Sequence, residues 1–161
     1  MIEHRGALDG KGRRFALIAS RYSPLIMNEL VRGAQACLEQ HGVEGERIEL
    51  FWVPGSFEIP AAARAAAESG RFDAIVALGC IIKGATSHDQ IIAREVASGL
   101  SRIAQETGIP CALGVITVET VEQALERAGV KSGGRGWEAA LSALEMANLI
   151  TALRAPRPRK K

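Results

Sequence analysis

Four short apolar runs alternate with longer segments of helical period. Residues 14–20 (RFALIAS), 47–53 (RIELFWV), 72–82 (FDAIVALGCII) and 111–118 (CALGVITV) have the length of strands. The third is almost wholly apolar, as suits a parallel strand buried on both faces. After the first run, Leu25/Ile26, Leu30, Ala34 and Cys37/Leu38 recur at helical spacing and predict a helix ending near Gly42, with Ser23 as N-cap and Pro24 at the first helical position. An alanine-rich helix over 58–68 stops at Ser69-Gly70. Ile92, Val96, Leu100 and Ile103 mark a third helix over 89–105, broken by Gly108-Ile109-Pro110. Thr120-Val121-Glu122-Gln123 reads as the capping box of a short helix ending at Gly129, and a glycine-rich link over 131–136 leads to a last helix through about residue 153.

Strand and helix alternate strictly, which predicts an α/β fold. Its form is a three-layer α/β/α sandwich around a four-stranded parallel sheet, doubly wound with right-handed crossovers. Residues 1–13 are expected to form a flexible polar arm, 14–154 a single domain, and 155–161 a basic disordered tail. Ligands of open parallel sheets bind at the carboxyl ends of the strands. The loops at 20–23, 54–58, 80–88 and 118–120 are therefore the places to search for chemistry.

Composition narrows the picture. At 47% hydrophobic and 24% charged residues the chain can build one core, and with 4% aromatics that core must be made of Ala, Val, Ile and Leu. Twenty Lys and Arg stand against eighteen Asp and Glu. Four of those cations (Arg157, Arg159, Lys160, Lys161) lie in the last seven residues, so 1–154 carries a net −2 and has no basic surface for nucleic acid. The apolar run at 74–82 is half the length of a membrane span, and the first fourteen residues lack the apolar stretch of a secretory signal. Cys37, Cys80 and Cys111 are odd in number and widely spaced, which argues against disulfides and a zinc site. A cytoplasmic, reduced protein is expected.

The loop Gly79-Cys80-Ile81-Ile82-Lys83-Gly84-Ala85-Thr86-Ser87-His88 is the most informative segment. A glycine-containing turn entering a helix offers free backbone N–H groups to an anion, with Lys83 and the Thr86 hydroxyl as possible additions. The bland reading is a plain turn with Thr86 or Ser87 as N-cap. His88 falls at the helix start, where the positive helix end favours the neutral imidazole that can give or take a proton. Glu58 meets the helix after the second strand, where it can accept from polyol hydroxyls or simply suit the helix dipole. Tyr22 can stack on a planar ring. Arg127 lies in the last turn of the fourth helix, and Cys80 reads better as a small strand-end residue than as a nucleophile. Together these groups suit a phosphorylated small substrate and acid–base steps.

Four segments, in order, carry a resemblance: Pro54-Gly55-Ser56-Phe57-Glu58-Ile59-Pro60, Gly84-Ala85-Thr86-Ser87-His88, Glu126-Arg127-Ala128-Gly129 and Ala143-Leu144-Glu145-Met146-Ala147-Asn148. From about Phe15 to Ile150 the chain resembles the 6,7-dimethyl-8-ribityllumazine synthase family, whose fold is flavodoxin-like. The resemblance implies condensation of 5-amino-6-(D-ribitylamino)uracil with 3,4-dihydroxy-2-butanone 4-phosphate, the penultimate step of riboflavin biosynthesis. It implies that His88 transfers protons and that Tyr22, Ser56, Phe57, Glu58, Cys80, Ile81 and Ile82 hold the ribitylaminouracil, joined by Leu113 of a neighbouring subunit. Ala85 and Thr86 would hold the phosphate, with Arg127 of the neighbour and Arg135 as a further candidate, and no organic cofactor or metal is implied.

Three positions depart from the family pattern. Asp89-Gln90 stands where an aromatic and then an acid are usual, Leu113 replaces an aromatic, and Arg135 replaces a lysine, which keeps the charge and changes its geometry. The family assembles as pentamers, some of them closed into icosahedral shells. The compact link over 129–136 leaves a shell sterically open, and riboflavin synthase is the partner the resemblance suggests. A flavin- or lumazine-binding module, or a structural shell paralogue, is the alternative reading. Keeping both His88 and Arg127 favours the enzyme.

Overall fold

The computed structural model describes residues 1–129 and 134–156. Its strands are β1 (Phe15–Ser20), β2 (Ile48–Val53), β3 (Ala74–Ile82) and β4 (Cys111–Val118). Its helices are α1 (Pro24–Gln40), α2 (Ile59–Glu68), α3 (His88–Thr107), α4 (Val121–Ala128) and α5 (Arg135–Arg154). All four strands are parallel, in the order β2-β1-β3-β4. The chain winds outward from β1 to β2, then returns past β1 to β3 and β4. The topological switch point therefore falls between β1 and β3.

Two cores follow from the pleat. Phe15, Leu17, Val76 and Leu78 face α1, α4 and α5, while Ala16, Ile18, Ile75 and Ala77 face α2 and α3. Buried on both sides, β1 and the body of β3 are continuous apolar runs, as expected of central parallel strands. The edge strand β2 keeps Leu50 and Trp52 exposed. Helix α5 covers its face with Ala139, Ala140, Ala143 and Ala147. It meets α1 so closely that a Cβ on Gly136 would overlap the Leu30 carbonyl.

The starts of α1 and α4 differ from expectation. Ser23 precedes Pro24 as read, but its side chain caps nothing, and its backbone is left-handed (φ 58°). At α4, Thr120 accepts the Gln123 N–H at 3.2 Å, yet the Gln123 side-chain oxygen accepts from the Glu119 N–H at 2.8 Å, one residue earlier than a capping box requires.

The irregular amino-terminal segment lies along α5. The Asn148 side-chain amide donates to the Ala7 and Asp9 carbonyls, and the Gly10 N–H donates to the His41 carbonyl at 2.7 Å. Arg13 spans Asp73 at 2.9 Å, Asn148 at 3.0 Å and Thr151 at 3.1 Å. In the expected tail, residues 157–161 lie outside the described residues, as do 130–133 of the glycine-rich link.

Candidate active site

A crevice of about 600 Å³ opens at the carboxyl ends of β1, β2 and β3, beside the first turn of α3. Its walls are made by three loops that the strands deliver to one place. Beyond β1 comes Tyr22, whose ring is 71% exposed. The Arg21 N–H, donating to the Val53 carbonyl at 2.9 Å, prolongs the β1–β2 pairing up to this point.

Beyond β2, Pro54-Gly55 turns the chain into a single 3-10 turn, Ser56–Glu58. Glu58 was expected to open α2; it closes this turn instead, its N–H donating to the Gly55 carbonyl at 3.3 Å, and α2 begins at Ile59 with Pro60 in its first turn. The tight turn drives Ser56 inward and leaves Phe57 and Glu58 outward on the crevice wall. Ser56 packs over Gly79 of β3, where a Cβ would lie 2.8 Å from its hydroxyl oxygen. Gly55 sits between Tyr22 and Glu58: a Cβ there would lie 3.3 Å from the Tyr22 ring and 3.0 Å from a Glu58 carboxylate oxygen.

Beyond β3, Cys80, Ile81 and Ile82 form the apolar floor. Burial pushes the Cys80 thiol up to about 11, so it stays protonated near neutrality and is a poor nucleophile. The chain then passes through Gly84 and Thr86 into His88, the first residue of α3. Ser87, at the cap position, makes no side-chain bond, and the Thr86 hydroxyl accepts a long 3.4 Å bond from the His88 N–H. The His88 imidazole has no hydrogen-bond partner among the described residues and is exposed to the crevice. It is thus open to a ligand on one side of a helix start that favours anions.

Nine of the residues singled out from the sequence line this crevice: Tyr22, Ser56, Phe57, Glu58, Cys80, Ile81, Ile82, Thr86 and His88. Ala85 is exposed on the loop beside it. The wall also contains Asp89 and Ile92, which had not been singled out as site residues. The spacing offered a signal for Ile92, because it lies one turn beyond His88 on the same helical face.

Arg127 lies elsewhere. It borders a second crevice of about 540 Å³, with Lys83, Thr117, Glu119 and Gln123, and makes no hydrogen bond or ion pair among the described residues. Lys83, considered as an anion contact, holds Glu119 at 3.1 Å. Leu113 is 45% exposed on β4, the edge strand, and Arg135 pairs with Glu138 at 3.0 Å in the first turn of α5; neither reaches either crevice. Among the described residues no cluster of His, Cys, Asp and Glu is placed to hold a metal ion, and no helix is long and apolar enough to cross a membrane.

A doubly wound parallel sheet with an aromatic, a carboxylate and a histidine at its switch point defines a small-molecule-binding α/β protein. The family model of 6,7-dimethyl-8-ribityllumazine synthase matches residues 12–151, and the chain belongs to that family, a family of transferases in riboflavin biosynthesis. Among solved structures, a de novo designed Rossmann-fold protein is similar at a TM-score of 0.41 and 18% identity, covering 70% of this chain and 91% of that one.

Proposed function

We propose that the protein condenses 5-amino-6-(D-ribitylamino)uracil with 3,4-dihydroxy-2-butanone 4-phosphate to give 6,7-dimethyl-8-ribityllumazine, phosphate and two waters. The observation that carries this reading is the convergence of Tyr22, Glu58, Thr86 and His88 on one crevice, each with its functional group unengaged or exposed. Tyr22 offers a face to the pyrimidine. Glu58, with no side-chain hydrogen bond or ion pair among the described residues, is an acceptor for ribityl hydroxyls, and Phe57, Ile81 and Ile82 supply the apolar walls between them. The start of α3, with Ala85 and Thr86, receives the phosphate.

The steps then follow from carbonyl chemistry. The 5-amino group attacks the ketone, and loss of water gives an imine. Removal of a carbon-bound proton expels phosphate, and the second amine closes the ring with loss of the second water. His88 serves these proton transfers, and holding two substrates in one crevice supplies much of the remaining rate.

The site is completed by a second copy in this reading. Arg127, Leu113 and Arg135 stand away from the crevice of their own chain, which supports a head-to-tail ring in which each subunit lends them to the next. A homopentamer is the proposed ring, with a shell of pentamers and contact with riboflavin synthase as further proposals, in the cytoplasm. Mixing purified protein with the two substrates and following lumazine fluorescence is the direct test. An intact assembly that binds both substrates and yields no fluorescence would sink the enzyme reading in favour of a binding module.

A further inference from the structure

We propose that Glu119, acting through Lys83 and backed by Gln123, is a positioning residue for the loop over 84–87 that brings Thr86 to the crevice. The inference rests on the reading of that loop as the phosphate-holding element. All four loop residues are exposed. Its start is held by two bonds of Lys83: the backbone N–H donates to the Val118 carbonyl at 2.8 Å, and the ammonium donates to a Glu119 carboxylate oxygen at 3.1 Å. Glu119 is itself fixed, because its N–H donates to the Gln123 side-chain oxygen at 2.8 Å. The Gln123 N–H is in turn accepted by Thr120, the N-cap of α4, at 3.2 Å. A continuous brace therefore runs from the start of α4 to the first residue before the loop.

Within one chain, the placement of Lys83 separates holding the loop from ligation at it. Its side chain borders the second crevice, whereas Thr86 and His88 border the first. Its charge is also already matched by Glu119. An exposed ion pair adds little to global stability, so this contact is not what keeps the fold together. A catalytic loop held at few points is nonetheless sensitive to small misplacement.

The test uses the assembled enzyme with Glu119→Gln, Lys83→Met and the charge-reversed pair Lys83→Glu/Glu119→Lys. Each single variant is expected to raise KM for the ketose phosphate about two- to fivefold, the scale of one exposed ion pair. KM for the aminouracil and Tm should stay unchanged, and amide exchange across 83–90 should accelerate. The reversed pair should restore both the KM and the exchange. A lowered KM in Glu119→Gln would overturn the proposal, since it would make the freed Lys83 a phosphate ligand. So would unchanged KM or exchange, or a rise in both KM values with a fall in Tm. If the wild-type assembly turns over neither substrate, the functional reading fails, and exchange alone decides the brace: faster exchange supports it and unchanged exchange overturns it.

Discussion

His88 and Arg127 line different crevices of the same chain, and Asp89 borders both. One subunit thus presents an exposed imidazole in one recess and, in another, a guanidinium with no hydrogen bond or ion pair among the described residues. This arrangement is suited to a ring in which the second recess of one copy serves the first recess of its neighbour.

Complementation tests that sharing. His88→Ala and Arg127→Ala subunits, each weak alone, should regain activity when refolded together. With equal random mixing about a quarter of the interfaces pair an intact His88 with an intact Arg127, so recovery should approach that fraction of the wild-type rate. Proven mixing without recovery would place both residues in the site of one chain.

His88→Ala should lower kcat by roughly 10²-fold without abolishing turnover, because general acid–base assistance is worth about 10²–10⁴ and the crevice still gathers both substrates. Steady-state kinetics with a parallel measurement of aminouracil binding checks this. A complete loss with intact binding and assembly would show that the histidine does more than move protons.

Gly79→Ala should disturb the crevice from beneath. The new methyl would meet the Ser56 hydroxyl oxygen at 2.8 Å and the Ile59 and Val115 side chains at 3.2 Å. Overpacking of this kind destabilises by about 1–3 kcal/mol. Because Ser56 lies in the turn that presents Phe57 and Glu58, KM for the aminouracil should rise with it. Chemical denaturation and kinetics on the same sample measure the two effects, and a neutral result in both would refute the close packing.

Alkaline pH should weaken the fold through its thiols. Burial raises Cys37, Cys80 and Cys111 from their ordinary 9.0 to about 11. Between these values the unfolded chain has released protons that the folded chain retains, so stability falls as pH rises from about 9 toward 11. Melting curves across that range should show a shallower fall for Cys80→Ala than for the parent. Alkylation of native Cys80 at pH 8 should also be slow, with about one thiol in a thousand ionised.

Much of this architecture was legible because the central strands are uniformly apolar and the helices carry one buried stripe each. Strand β4 coincides with its apolar run, and Val96, Leu100 and Ile103 are buried on α3 as their spacing implied. The crevice was legible for a different reason: the carboxyl ends of parallel strands mark the loops to search, and three of the four so marked meet there, while Val118 and Glu119 of the fourth border the second crevice. What escaped was set by tertiary contact. The Arg13 clasp joins residues 60 and more positions away, which periodicity does not register. Lys83 looked available for an anion until the fold placed Glu119 beside it. The left-handed Ser23 carries no mark in a Ser-Pro pair that ordinarily signals a helix cap.

That serine has a consequence for anyone seeking a hardier variant. It is the one non-glycine residue with positive φ among the described residues, and it borders the crevice next to Tyr22. A left-handed backbone costs an L-residue about 1–2 kcal/mol, so Ser23→Gly is an obvious substitution for heat tolerance. The same change would loosen the backbone next to Tyr22 on the crevice wall. Selection for thermal endurance and selection for turnover should therefore pull this position in opposite directions, making it a poor first choice for engineering despite its local strain.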